Sequence, residues 1–301
     1  MRGRYSPAVS PTVTDLAHAA DRLLDAIDRL DAPVCVGLDP VFARLPAALR
    51  GAGEPIEAVE RFSLGVIDAV ASSVPCVKPQ SACFERYGSA GVAALERVCA
   101  AARAAGLVVI LDAKRGDIGI SAEHYAEAAF ARGDVDWVTI NAYLGEDGIA
   151  PFLRPGRGAF ALVRTSNPGG DALQRRPLAE GGSVADAVAA IVAALGERHL
   201  GGRGYSALGA VVGATKAEDA ARLRRLMPKQ LLLVPGYGAQ GGGAADVLPF
   251  FGADGRGAII TASRSVLYPP GSDGADWKSA VAEAAQRFAE EIRAAVRSRP
   301  E

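Results

Sequence analysis

Residues 108–121 read VVILDAKRGDIGIS. Four apolar residues run straight into Asp112, Lys114, Arg115 and Asp117, with glycines at 116 and 119. A continuous apolar run of this kind fits a strand buried on both faces, as in a parallel sheet. The charged knot at its end has two readings: a salt-bridged strand terminus or a reaction centre. The rest of the chain has to decide between them.

Seven more runs of the same type occur, at 32–39, 73–80, 136–143, 158–166, 208–215, 230–238 and 257–264. Between them lie Ala-rich stretches with helical periodicity, including 59–70, 90–105, 121–132, 184–195 and 216–226. In the third of these, Ser121 suits a helix start and Gly133 a helix stop. Alternating strands and helices make βα units around a parallel sheet. Eight units in 301 residues predict an α/β fold, a closed (β/α)8 TIM barrel, which commonly takes about 250 residues. An open doubly wound sheet is the alternative. The stretch 12–30 places Leu16, Ala20, Leu23, Leu24, Ile27 and Leu30 on one helical face, an extra N-terminal helix that plugs or flanks the barrel. Thr12 and Asp15 form a weak capping-box pattern at its start. Residues 1–10 are expected to be disordered and 11–301 to form one barrel domain. The stretch 276–299 reads as a helix with an apolar face, suited to terminal packing.

Composition narrows the function. With 33 basic and 34 acidic residues the net charge is −1, which gives no electrostatic footprint for nucleic acid. No apolar run reaches the length of a membrane span, and residues 1–15 lack the apolar core of a signal peptide. Cysteines 35, 76, 83 and 99 include no CxxC pair, and the three histidines are scattered. Free thiols in a cytoplasmic enzyme are therefore expected, without a metal site.

The polar residues are placed informatively. Asp39 ends the first run, Lys78 and Gln80 the second, Asp112 and Lys114 the third, and Asn141 the fourth. Thr165, Ser166 and Asn167 end the fifth, Gln240 follows the seventh, and Ser263 and Arg264 end the eighth. In a parallel barrel these ends share the face on which barrel active sites are built. Asp112 and Lys114, two apart on a strand, point to one side, and Lys78 on the next strand reaches the same space. Asp117 lies past the strand and faces away from that pocket. The segment VPGYGAQGGG (234–243) contains Gly236, Gly238 and Gly241 in a dinucleotide-like spacing, but no convincing helix follows it. A phosphate loop is the better reading, with Gly238 and Gly241 freeing backbone N–H groups beside Gln240 and Arg264. A plain glycine hairpin with a surface arginine is the structural alternative. The long polar segment 165–182 reads as a lid.

Taken together, GLDP with Asp39, VKPQ with Lys78, LDAKRGD, TSNPGG, PGYGAQGG and ASRS resemble the orotidine 5′-monophosphate decarboxylase family in its longer bacterial form. The resemblance spans residues 33–268. It implies conversion of orotidine 5′-monophosphate (OMP) to UMP and CO2 in pyrimidine biosynthesis, with no metal, pyridoxal or thiamine. It further implies a homodimer with shared sites: Lys78, Asp112 and Lys114 from one subunit, Asp117 and Ser121 from the other. Ser121 takes a place often held by threonine. Asp39 and Lys78 would hold the ribose hydroxyls, Ser166 the pyrimidine, and Gln240 and Arg264 the phosphate, with Ser263 beside the ligand and Lys114 delivering a proton to pyrimidine C6. Two rivals stay open: a metal-dependent sugar-phosphate decarboxylase or synthase on the same barrel, and a non-catalytic sensor of phosphate ligands.

Overall fold

The computed structural model describes residues 17–51, 53–238 and 243–299. The expected disorder of residues 1–10, the Thr12–Asp15 cap, Leu16, Gln240 and Gly241 lie outside the described residues. Within them, eight parallel strands close into a barrel in sequence order. They are β1 (Val34–Leu38), β2 (Cys76–Pro79), β3 (Val108–Arg115) and β4 (Trp137–Asn141), then β5 (Gly158–Arg164), β6 (Leu208–Val212), β7 (Leu232–Pro235) and β8 (Ala258–Ala262). Closure is made by β1 pairing with β8, with Cys35 opposite Thr261. The closed sheet settles the choice against an open doubly wound arrangement.

Seven strands fall inside the apolar runs and β3 runs on from its own through Asp112–Arg115, because the covered length of a strand, between helices outside and barrel layers inside, has no face left for polar residues. The long helices follow suit: Pro55–Val70, Gly88–Ala104, Gly119–Phe130, Val184–Gly196, Ala217–Leu226 and Trp277–Arg297. The third of these begins at Gly119, so Ser121 sits in its first turn with Ile118 as the flanking extended residue. Two connections depart from the regular unit. Short helical turns over Ala142–Phe152 follow β4, and a 3-10 helix, Ala244–Phe250, interrupted by Pro249, follows β7.

The barrel's lower interior is apolar. Cys35, Cys76, Val108, Ile110, Trp137, Phe160, Leu233 and Ile259 meet there, with the Trp137 and Phe160 rings stacked at 4.5 Å between centroids. The helix Ala19–Leu30 seals this end, burying Ala19, Ala20, Leu23 and Leu24. It starts later than the periodicity suggests because His18 caps it. The ring Nδ1 accepts from Ala20 N–H at 3.2 Å, and Nε2 donates to the His199 carbonyl at 3.1 Å. Arg22 locks the helix in place through the buried Asp136, at 2.7 Å. At the chain's other end, Trp277 of the last long helix stacks on Phe62, 5.0 Å between centroids, which is the terminal packing expected.

Leu23 is fully buried in the seal. Leu23→Ala should lower unfolding stability by about 2–5 kcal/mol, a typical cost of an unfilled core cavity. Urea melts of the two proteins measure it, and a loss below 0.5 kcal/mol, roughly that of a surface substitution, would show that the helix does not seal the barrel.

Candidate active site

Above the apolar layers the same strands turn polar. One cavity of about 200 Å3 opens there, lined by Asp39, Lys78, Asp112, Ser166, Thr261, Ser263 and Arg264, with residues 235–237 on the β7 side. Strand ends from opposite sides of the barrel thus converge on one space, at the face where barrels carry their chemistry.

Asp112 is its centre. Lys78 Nζ donates to Oδ2 at 2.6 Å and Lys114 Nζ donates to Oδ1 at 2.7 Å. Gln80 Nε2 adds a bond to Oδ2 at 3.2 Å, and Thr139 Oγ1 one to Oδ1 at 2.8 Å. Lys78 and Asp112 are only 5% and 6% exposed, whereas the Lys114 side chain is 48% exposed. Burial pushes the Asp112 carboxyl up, but the two ammonium groups overcome it and hold it far below the usual carboxylate range. Burial pushes Lys78 down, and Asp39 and Asp112 overcome that, keeping its ammonium above the ordinary lysine value.

Simple strand alternation does not account for the Lys114–Asp112 contact. β3 and β4 pair in register at Leu111–Val138 and again at Arg115–Ile140. Three residues of β3 therefore stand opposite Thr139 alone, a bulge of the sort that re-aims side chains near functional sites. Lys114 adopts a left-handed backbone with φ of 46°, unusual for a residue with a long side chain.

Other wall residues are set by close packing. Ser166 follows β5, and a Cβ at Gly213 would fall 2.8 Å from its backbone and side chain, so only glycine lets β6 approach there. Asp39 Oδ1 and Thr261 Oγ1 are buried without a hydrogen-bond partner among the described residues. Arg264 is exposed and pairs with no carboxylate among the described residues. Gly238 makes its turn with φ of 73°, and a Cβ there would lie 3.6 Å from Ser265 Oγ, beside the start of the segment Arg264–Leu267.

Not every candidate joins this cavity. Lys114, Asp117, Ser121 and Gly238 are absent from its lining; Lys114 is tied to it through Asp112, Asp117 Oδ1 accepts from Ile118 N–H in its own turn at 2.9 Å, and Ser121 is exposed. The segment 165–182 is tied down at its base. The fully buried Arg164 pairs with Asp171 at 2.7 Å and Asp219 at 2.9 Å. Lys216 and Arg164 hold the Asp171 carboxyl down to about 2. Gln174 accepts from Thr165 N–H at 2.9 Å.

The family model described as the orotidine 5′-phosphate decarboxylase / HUMPS family matches residues 32–278. The chain belongs to this family. The match begins beyond the sealing helix and takes in every strand of the barrel. A relative named orotidine 5′-phosphate decarboxylase from Rhodopirellula baltica is 40% identical over 91% of this chain and 98% of its own length. A solved chain from Streptomyces avermitilis, 40% identical, superposes with a TM-score of 0.81 over 97% of this chain and 100% of that one. Leishmania donovani OMP decarboxylase, 32% identical, gives 0.76 over 94% of this chain and all of that one.

Thr139 was not among the site candidates read from the sequence, and Gln80 was placed only as a strand-end residue. The one trace of Thr139 in the sequence is that it is the lone polar residue inside the run WVTI, two places before Asn141, which a β-branched strand residue also explains.

The pH behaviour of the cluster follows from its shifts. A depressed Asp112 contributes stability that is fully present above the unfolded carboxyl value, about 4, and is lost as pH falls through its lower folded value. A raised Lys78 contributes below about 10.4 and loses that contribution only as pH rises through its folded value. The stability difference between wild type and Asp112→Asn should accordingly stay flat from about pH 5 to 8 and change, with wild type losing ground, below about pH 4. Denaturant melts across that range test this; a slope near neutrality would contradict a permanently charged cluster.

Proposed function

We propose that this chain is a cytoplasmic orotidine 5′-monophosphate decarboxylase, converting OMP to UMP and CO2 in pyrimidine biosynthesis without a metal or organic cofactor. The observation that carries this reading is the Lys78–Asp112–Lys114 array, built on a buried Lys78–Asp112 pair, at the mouth of a barrel of this family. Loss of CO2 from an sp2 ring carbon leaves a carbanion that the ring π system cannot absorb. Stabilisation has to come from fixed charges held where the negative charge develops, and two ammonium groups around one carboxylate supply them.

In this reading Lys114 stands beside C6 and passes it a proton as CO2 departs. Asp112 keeps Lys114 in place and stands against the substrate carboxylate. Two like charges about 4 Å apart repel by roughly 4 kcal/mol at an effective dielectric near 20, worth about a thousandfold if released at the transition state. Enzymes lower barriers by about 8–23 kcal/mol, so the larger share falls to the Lys114 ammonium in a site closed to water. Asp39 and Lys78 hold the ribose hydroxyls, which suits the buried, unsatisfied Asp39 oxygen. Ser166 addresses the pyrimidine, with Ser263 beside it, and Arg264 and Gln240 grip the phosphate, helped by backbone N–H groups at Gly238 and Gly241. Asp117 and Ser121, turned away from their own cavity, serve the site of a second copy in a homodimer. The partner-facing role is supported by the exposed apolar residues Ile118 and Ile120 beside them, 59% and 64% exposed.

A metal-dependent sugar-phosphate decarboxylase or synthase is the second reading. It calls for an acidic ligand near the end of the second strand, where this chain has Lys78 bonded to Asp112. Loss of the orotate absorbance on purified protein, with and without chelator, separates the readings. Turnover unaffected by chelator and nearly abolished in a folded Lys114→Ala variant is expected. Chelator-sensitive turnover favours the metal reading, and nucleotide binding without turnover favours a sensor. A mixture of inactive Asp117→Ala and inactive Lys114→Ala subunits should regain activity, since one of the two sites in each heterodimer is then intact. Heterodimers that stay inactive would show that each site is self-contained.

A further inference from the structure

We propose that Thr139 is a positioning residue for proton transfer, its one hydroxyl fixing both ends of Lys114. This rests on the reading of Lys114 as the proton donor. Thr139 lies on β4, 1% exposed, alone opposite the bulged residues 112–114. Its Oγ1 accepts from the Lys114 backbone N–H at 3.0 Å and donates to Asp112 Oδ1 at 2.8 Å. A hydroxyl carries one donor and two acceptor positions, so a single atom makes both bonds. The same Asp112 Oδ1 receives the Lys114 ammonium at 2.7 Å. The result is a closed ring: Thr139 hydroxyl to Asp112 carboxylate, carboxylate to Lys114 ammonium, and Lys114 amide back to the hydroxyl.

The ring matters because little else holds Lys114. Its side chain is 48% exposed, so packing does not fix it. Its left-handed backbone, φ 46°, is one that a lysine abandons unless its surroundings enforce it. The bulge removes its amide from the regular ladder, and Thr139 gives that amide its partner. An apolar side chain of the same shape at 139 fills the same space but cuts the ring in two places.

Thr139→Val and Thr139→Ser test this, with kcat, KM and thermal midpoint measured for each. The hydroxyl-free Val variant should stay folded and lose about 10- to 100-fold in kcat, with KM within about threefold of wild type. Ser, which keeps the hydroxyl, should restore kcat to within about threefold. In the double variant Lys114→Ala/Thr139→Val, the Thr139 change should cost nothing beyond Lys114→Ala alone. Wild-type kcat in the Val variant overturns the proposal, and so does an equal loss in the Val and Ser variants. If Val prevents folding, Thr139→Ala against Thr139→Ser carries the comparison, and equal kcat in that pair overturns it. Failure of wild type itself to decarboxylate OMP sinks the underlying reading instead; wild-type turnover lost in Lys114→Ala upholds that reading whatever Thr139 does.

Discussion

A carboxylate gripped from both sides by ammonium groups, in a space sealed from below, is the constraint to which the rest of this barrel answers. Taking Asp112 and Lys78 out of water costs several kcal/mol per ion. That cost is met only if each lone pair and each proton finds a partner at good geometry. Asp112 receives four donors, from Lys78, Gln80, Lys114 and Thr139. Those donors come from β2, β3, β4 and the residue following β2, so the electrostatics are satisfied only when three adjacent strands hold their register. Hydrophobic burial makes the barrel; the charge array fixes how its upper rim is arranged.

The rim shows two ways of holding polar residues. At β3 the backbone itself is distorted, with extra residues facing Thr139 and a left-handed lysine. At β5 the pairing with β6 shifts by one residue between Leu162 and Arg164, and an ion cluster then takes over. Arg164, Asp171, Lys216 and Asp219 bind the outgoing segment to the helix after β6. Buried arginine suits this task because its planar fork meets two carboxylates at once. The glycine at 213 completes the arrangement by letting the neighbouring strand come within contact of Ser166.

Much of this was legible in the sequence, and the reasons are physical. Strands enclosed on both faces leave unbroken apolar runs, so all eight could be read directly. Polar residues at the ends of those runs share one face by topology alone, which placed Lys78, Asp112, Ser166, Ser263 and Arg264 together. What was not legible depends on pairing between strands. The β3 bulge has no marker in DAKRG, since neither glycine nor proline stands at the left-handed position. Thr139 looked like an ordinary β-branched strand residue because its importance comes from what stands opposite it. The anchoring of 165–182 was hidden too: glycines and polar residues suggested a lid, and the points that fix its base are contributed by Arg164 before the segment and by Lys216 and Asp219 after it.

The seal beneath the cavity has a consequence for traffic. With the Trp137 and Phe160 rings stacked over the helix Ala19–Leu30, apolar side chains separate the charged floor from the lower end of the barrel among the described residues. Among the described residues, the cavity over that floor is lined by strand ends at the rim, so whatever reaches the charged cluster comes and goes by that side. On the proposed reading of Lys114 as proton donor, the spent amine recharges from that same rim, which couples the refilling of the acid to the release of whatever was made.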